Sequence, residues 1–340
     1  MRRPSARAAG MAAALLATLA WGAQFPLGAD ALERLDPVWL TGIRYLIAGV
    51  LLLVILAARE GRSALAVDAA TPRIAALGAL GFGGFNLLVY VGMQDAGPQA
   101  ASLLVASMPL VTAFVLWART GSRPRRATWG AAVLALVGIV LVLTSGDVAR
   151  LVSGGVTTSH GLVLIGVICW VTYTTAAAHY PTYSPLRYAA VSATAGALMV
   201  LMLAAALTAV GALASPTFTT LTGVAPQLAF LAVAAGALAL LAWGSAVRRL
   251  GAAGAVLFIN VVPLTTFALA AMRGTLPTPV QASGVVLVVA GVLAGSRTSA
   301  RPTSAKQACG TPGPSLDRGR PTPSSINDDV SRQQQCTACP

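Results

Sequence analysis

The sequence predicts an all-α integral membrane protein of ten transmembrane helices, arranged as two inverted five-helix repeats. Three observations predict it. Of 340 residues, 56% are hydrophobic and only 10% are charged, against about 25% charged in an ordinary soluble domain, and the mean hydropathy is +0.76. Apolar stretches long enough to cross a bilayer recur from end to end. An internal match relates the two halves.

The first stretch is Ala9–Ala29. Arg2, Arg3 and Arg7 before the run Met11–Ala20 imitate a signal peptide, but the run continues through Trp21 and Phe25 to Leu27, so a retained helix is expected. Pro37–Ala58, Ile74–Met93, Ala100–Ala118 and Ala127–Thr144 follow. The second five are Gly161–Ala178, Tyr188–Ala212, Leu228–Val247, Ala253–Met272 and Pro279–Gly295. The runs lack the dyad alternation of an outer-membrane barrel.

Charge predicts the orientation. With the N-terminus inside, the cytoplasmic segments hold thirteen arginines (Arg2, Arg3, Arg7, Arg59, Arg62, Arg73, Arg119, Arg123, Arg125, Arg126, Arg187, Arg248 and Arg249). The outer loops hold three: Arg34, Arg150 and Arg273. The positive-inside rule therefore gives a multi-pass protein of the plasma (inner) membrane with both termini cytoplasmic. The formal charge of +13 is a topology signal and not a nucleic-acid footprint, because the arginines form no stripe. Three parts are expected: a first repeat over 1–146, a second over 147–296, and a disordered cytoplasmic tail over 297–340. The tail, rich in Ser, Thr, Pro and Gln, cannot bury enough apolar area to offset its ordering entropy.

Aligning Pro109 with Pro263 pairs Gly97 with Gly251, Ala101 with Ala255, Leu103 with Leu257, Leu110 with Leu264, Thr112 with Thr266 and Arg119 with Arg273, without a gap. Glycine pairs recur in the following helices, Gly130 and Gly138, then Gly284 and Gly291. Trp21-x-x-Gln24-Phe25 answers Trp170-x-x-Tyr173-Thr174. An odd number of spans per half inverts one half against the other, the sequence mark of secondary transporters with a midplane site.

The chain resembles the EamA-type branch of the drug/metabolite transporter superfamily. The resemblance rests on Trp21-Gly22-x-x-Phe25, on Pro37 with Arg44, on Ala100-Ala101-Ser102-Leu103-Leu104 leading to Pro109, and on Gly251-x-x-Gly254-Ala255 leading to Pro263. It covers Met11 to Gly295. It implies a ten-helix inverted-repeat carrier, often an exporter of amino acids or related metabolites. No arginine of the seventh helix matches Arg44.

All ten acidic residues lie outside the spans or at their ends, so a buried carboxylate relaying protons is disfavoured. Arg44 is the one charge well inside a span. It reads either as an anchor for a substrate carboxylate, or a partner for groups in the bundle, or as a side chain snorkelling towards Asp30 or Asp36. Trp21, Gln24, Asn86, Tyr90, Ser107, Thr112, Trp170, Tyr173, Trp243, Asn260 and Thr266 are the candidate cavity lining. Against that stands the ordinary use of such residues in cross-helix bonds and interfacial anchoring. Pro109 and Pro263 are candidate hinges or bends.

No cofactor, metal or nucleotide site is expected. His160 and His179 lie at opposite ends of one helix, Cys336-Thr-Ala-Cys339 lacks further ligands, and no phosphate-binding loop is present. The expected function is a secondary transporter exporting small polar metabolites such as amino acids by alternating access, with the lipid bilayer and a small-molecule substrate as partners. The rivals are an intramembrane enzyme, which lacks a nucleophile or metal set, and a channel, which lacks charged rings or a filter repeat. Substrate, direction, coupling ion and oligomeric state stay open.

Overall fold

In hydrocarbon each backbone donor must find its acceptor within the protein, so apolar runs of this length fold as helices. The computed structural model describes residues 6–121, 123, 126–147, 157–251, 254–255 and 257–299. All regular structure among the described residues is helical. Of the disordered tail expected over 297–340, residues 297–299 instead continue the last helix, and residues from 300 onward, with Cys309, Cys336 and Cys339, lie outside the described residues.

In chain order the helices are α1 (Ala6–Leu32), α2 (Pro37–Glu60), α3 (Thr71–Gly78), α4 (Phe85–Ala106), α5 (Met108–Thr120), α6 (Arg126–Thr144) and α7 (Thr158–Ala176). There follow α8 (Pro185–Ala209), α9 (Phe218–Gly223), α10 (Ala225–Ala229), α11 (Ala239–Leu250), α12 (Val261–Met272) and α13 (Pro279–Ser299). A π turn over Ala79–Gly84 joins α3 to α4, and another over Phe230–Leu238 joins α10 to α11. Among the described residues, seven helical stretches are long and apolar enough to cross a membrane, with three shorter apolar helices besides. Apolar side chains also face outward: Leu16, Val54, Leu136, Met202 and Val286 are each at least 60% exposed, as lipid contact requires.

Local chemistry sets the boundaries. Pro37 and Pro185 each open a helix, where a missing N–H costs no intrahelical bond. The side chains before them act as caps: Asp36 accepts from the Val38 N–H at 2.8 Å, and Ser184 from the Arg187 N–H at 3.0 Å. The stretch Thr71–Ala106 holds 36 residues, about 54 Å if straight, well beyond the bilayer core. It breaks at Gly97, whose φ of 78° and ψ of 160° only glycine adopts readily. Gly251 repeats that conformation at 75° and 159°. Pro109 bends no continuous helix. The break falls at Ser107, and Pro109 sits in the first turn of α5. Pro263 is likewise near the start of α12, after a 3-10 turn over Leu257–Asn260.

Packing follows one pattern. α2 lies on α8 and α6 on α13; α1 contacts α11 and α12, while α7 contacts α4 and α5. At the α6–α13 crossing a methyl on Gly284 would meet the Gly138 carbonyl oxygen at 2.7 Å, so this approach requires glycine. At one end of the bundle Asp68 accepts from Tyr183 Oη at 2.5 Å and pairs with Arg187 at 3.2 Å, and Ser184 donates to Glu60 at 2.8 Å. At the other end Arg273 pairs with Asp30 at 2.8 Å, Ser159 donates to Asp95 at 2.6 Å, and Gln281 donates to Ser145 at 3.2 Å.

Candidate functional site

Two turns into α2, Arg44 is only 1% exposed. Its guanidinium donates to the Tyr90 hydroxyl on α4 and to Gln24 Oε1 on α1 at 3.1 Å. It also lies over the Tyr45 ring, 4.6 Å from the centroid. Hydrogen bonds and the ring face together offset the desolvation of the cation. Arg44 does not turn to Asp30 or Asp36: Asp30 pairs with Arg273 and Asp36 caps α2. Among the described residues no carboxylate pairs with Arg44, and its Nε has no acceptor.

Beside this cation lies a cavity of about 70 Å³, room for a few water molecules. Four of the sequence-predicted residues line it: Trp21, Gln24, Asn86 and Trp170. Arg44, Tyr90 and Tyr173 stand behind its wall through Gln24, Tyr45 and Phe82. Asn86 donates to the Phe82 carbonyl at 3.0 Å, and Trp21 Nε1 to the Ala235 carbonyl at 3.1 Å. The Trp243 ring lies 5.3 Å from that of Trp21, tilted by 52°.

The remaining candidates go elsewhere. Ser107 and Thr112 donate to the Leu104 and Met108 carbonyls of their own turns, at 2.6 and 2.8 Å, the local bond such hydroxyls make in helices. Thr266 is buried and donates across to the Gly22 carbonyl of α1 at 2.9 Å. Asn260 is buried at the end of the 3-10 turn and is not among the lining residues.

Sequence reasoning missed the aromatic wall. Tyr45, Phe82 and Phe85 line the cavity. Phe82 meets the Trp170 ring edge-on at 5.5 Å and 86°, the Tyr45 ring at 5.1 Å, and Tyr173 at 5.2 Å; Phe85 lies 5.2 Å from Trp170. One signal was available: Phe82 stands four residues before Asn86, on the same helical face. The π turns carrying Phe82 on one side and Ala235 and Gly236 on the other have no such signal. Each turns a wide helical loop towards the cavity, a placement frequent at functional sites.

The Gln24 and Asn86 amides and aromatic faces line a space without a carboxylate, and the fixed Arg44 cation stands behind it. The lining residues contain no nucleophile–base pair, and among the described residues no cluster could hold a metal ion.

Comparison with known proteins agrees with this architecture. The EamA-like transporter family matches residues 8–144 and again 157–296. The chain is 29% identical over 283 residues to "Uncharacterized transporter YrdR" of Bacillus subtilis, covering 82% of this chain and 88% of that one. It is 26% identical over 308 residues to "Probable terminal-alkyne amino-acid exporter" of Streptantibioticus cattleyicolor, covering 88% and 97%. A solved crystal structure superposes with a TM-score of 0.61 at 20% identity, over 87% of this chain and 100% of that one, a likeness of fold alone. With both halves matched, this multi-pass membrane chain belongs to the EamA-like transporter family.

Proposed function

We propose that the protein is a secondary transporter of the plasma membrane that exports small polar metabolites bearing a carboxylate, amino acids among them, by alternating access. The observation that carries this reading is the buried Arg44 guanidinium, held by Tyr90 and Gln24 beside an aromatic cavity with no carboxylate partner among the described residues. A charge kept inside a membrane protein at a cost of about 3 kcal/mol on insertion scales marks a substrate path by default. Export is supported by the relative named as an amino-acid exporter. The cavity is too small for an amino acid as it stands, which fits a contracted state between two open ones.

Ten crossings in two inverted halves are supported on four grounds. The family matches each half separately. The packing pairs correspond when each helix of one half is exchanged for its counterpart in the other, α1 with α11 and α12 answering α7 with α4 and α5. The two π turns and the paired conformations of Gly97 and Gly251 occupy equivalent places. Contacts between helix ends also join segments assigned to the same side: Arg187 with Asp68 on the side counted as cytoplasmic, Arg273 with Asp30 on the other. In this reading the breaks before Pro109 and Pro263 are the bends about which the halves rock, and no catalysis is required.

The test is uptake and efflux by purified protein in liposomes, across amino acids, nucleosides and vitamins, with and without a proton gradient. Saturable, carboxylate-dependent translocation is expected. Solute-independent ion currents would identify a channel, and turnover without translocation an enzyme. Accessibility labelling at Asp95 and Arg123 is expected to reach opposite sides of the membrane; labelling from one side removes the inverted architecture.

A further inference from the structure

A second and larger cavity, about 360 Å³, opens at the end of the bundle that carries Asp30, Asp95 and Arg273. Its volume falls within the range of small-molecule sites, roughly 300 to 1,000 Å³. It is built where the last turn before Gly97, the end of α6, the start of α7 and the connection into α13 converge. None of its lining residues belongs to the central cavity.

The polar groups here are the reverse of those around Arg44. Asp95 is exposed to the space, accepts one hydrogen bond from Ser159 at 2.6 Å, and has no cationic partner among the described residues. His160 is nearly buried, and its Nδ1 accepts from the Thr157 backbone N–H at 3.2 Å in a capping box. That bond makes Nδ1 the acceptor and leaves the ring proton on Nε2, a donor. The Gln99 amide also lines the space, whereas Gln281 is engaged with Ser145 and the Thr278 N–H. Leu143, Phe267 and Leu276 supply an apolar wall. The cavity thus presents an anion, neutral donors and a hydrocarbon surface side by side.

We propose that this vestibule is a second binding site, which holds an aliphatic α-amino acid as a zwitterion. The ammonium group pairs with Asp95, the carboxylate accepts from His160 Nε2–H and the Gln99 amide, and the side chain lies on Leu143, Phe267 and Leu276. The central site recognises only the anionic end; the vestibule adds recognition of the ammonium group and so discriminates an amino acid from a simple carboxylic acid. The site rests on the transport reading only for its place on the path. Binding there needs no translocation.

The test is isothermal titration of the purified full-length protein with three probes of matched hydrocarbon: L-leucine, 4-methylpentanoic acid and 3-methylbutylamine. Saturable binding is expected for leucine, weaker binding for the amine, and for the acid only the central-site binding that Arg44→Gln removes. Asp95→Asn is expected to weaken leucine binding about tenfold or more, the loss of a charge-assisted bond. Ser159→Ala, which keeps the carboxylate, is expected to stay within about threefold, the size of a neutral hydrogen bond or less. Arg44→Gln is expected to retain leucine binding even where it abolishes transport, which separates failure of this site from failure of the central one. The proposal is overturned if leucine shows no saturable binding at millimolar concentration, if the acid binds Arg44→Gln as tightly as leucine does, or if folded Asp95→Asn binds leucine like the parent protein. Should Asp95→Asn fail to fold, the three probes on the unaltered protein decide alone.

Discussion

Helices α2 and α8 start alike and pack on each other, yet their interiors solve different problems. Each opens on a proline, and seven residues further on stand Arg44 in α2 and Ser192 in α8. Ser192 is fully buried and donates to the Tyr188 carbonyl at 2.6 Å, beside a stacked Tyr173–Tyr188 pair 5.1 Å apart and 17° from parallel. A hydroxyl on its own helix closes that position at little cost. Arg44 is as deeply buried but needs Tyr90 from α4, Gln24 from α1 and the face of Tyr45. Equivalent backbone positions thus tolerate either solution. Retaining the expensive one beside the cavity points to work done by the charge, because stability alone is better served by the α8 arrangement.

Replacing Arg44 by serine copies α8 onto α2 and is the sharpest way to break the comparison. Liposome transport of carboxylate-bearing substrates is expected to fall about a hundredfold, the equivalent of a charged hydrogen bond near 3 kcal/mol, while the protein still elutes as a folded species. Full transport would make the guanidinium a structural group. Tyr90→Phe removes one acceptor from the cation and is expected to lower transport about tenfold, together with a drop in melting temperature.

The third test concerns how the two helices are tied at their ends. At the start of α2, Trp39 Nε1 donates to the Ala214 carbonyl at 3.1 Å. At the start of α8, Arg187 lies over the Tyr183 ring at 4.2 Å and pairs with Asp68. The Tyr183 hydroxyl bond, aided by the Ala70 and Thr71 N–H groups, holds the Asp68 carboxyl below its usual range. A depressed folded-state value means that the contribution is complete above the ordinary carboxylate pKa and disappears as pH falls through the depressed one. Melting temperature is therefore expected to decline on that acid limb, and Asp68→Asn to flatten it; an unchanged limb removes Asp68 as its cause. The smallest effect is expected from Ser192→Ala. It loses about 1 kcal/mol of stability, the worth of one neutral hydrogen bond, with transport within about twofold, and a larger transport defect would make the α8 cluster part of the site.

Much of the fold was legible in the chain because lipid imposes simple rules. Length and hydropathy located the apolar segments, and Gly97 and Gly251, paired in the match of the two halves, adopt one backbone conformation in the structure. Four members of the cavity lining were found because polar and amphipathic side chains are conspicuous among Ala, Leu and Val. Ser107 and Thr112 were equally conspicuous and bond to their own turns, since a hydroxyl in a helix has a local acceptor whether or not a cavity is near.

The sequence by itself determined that the chain is helical and lipid-embedded, that its halves match, and that one arginine lies within a span, because periodic composition and charge placement respond to the solvent one segment at a time. Only the tertiary structure decided what Arg44 meets, where Pro109 and Pro263 fall relative to the helix breaks, and that Asp95 and His160 share a vestibule. Those outcomes depend on contacts between helices far apart in the chain, and on π turns that shift the helical register, and neither leaves a mark on local sequence pattern.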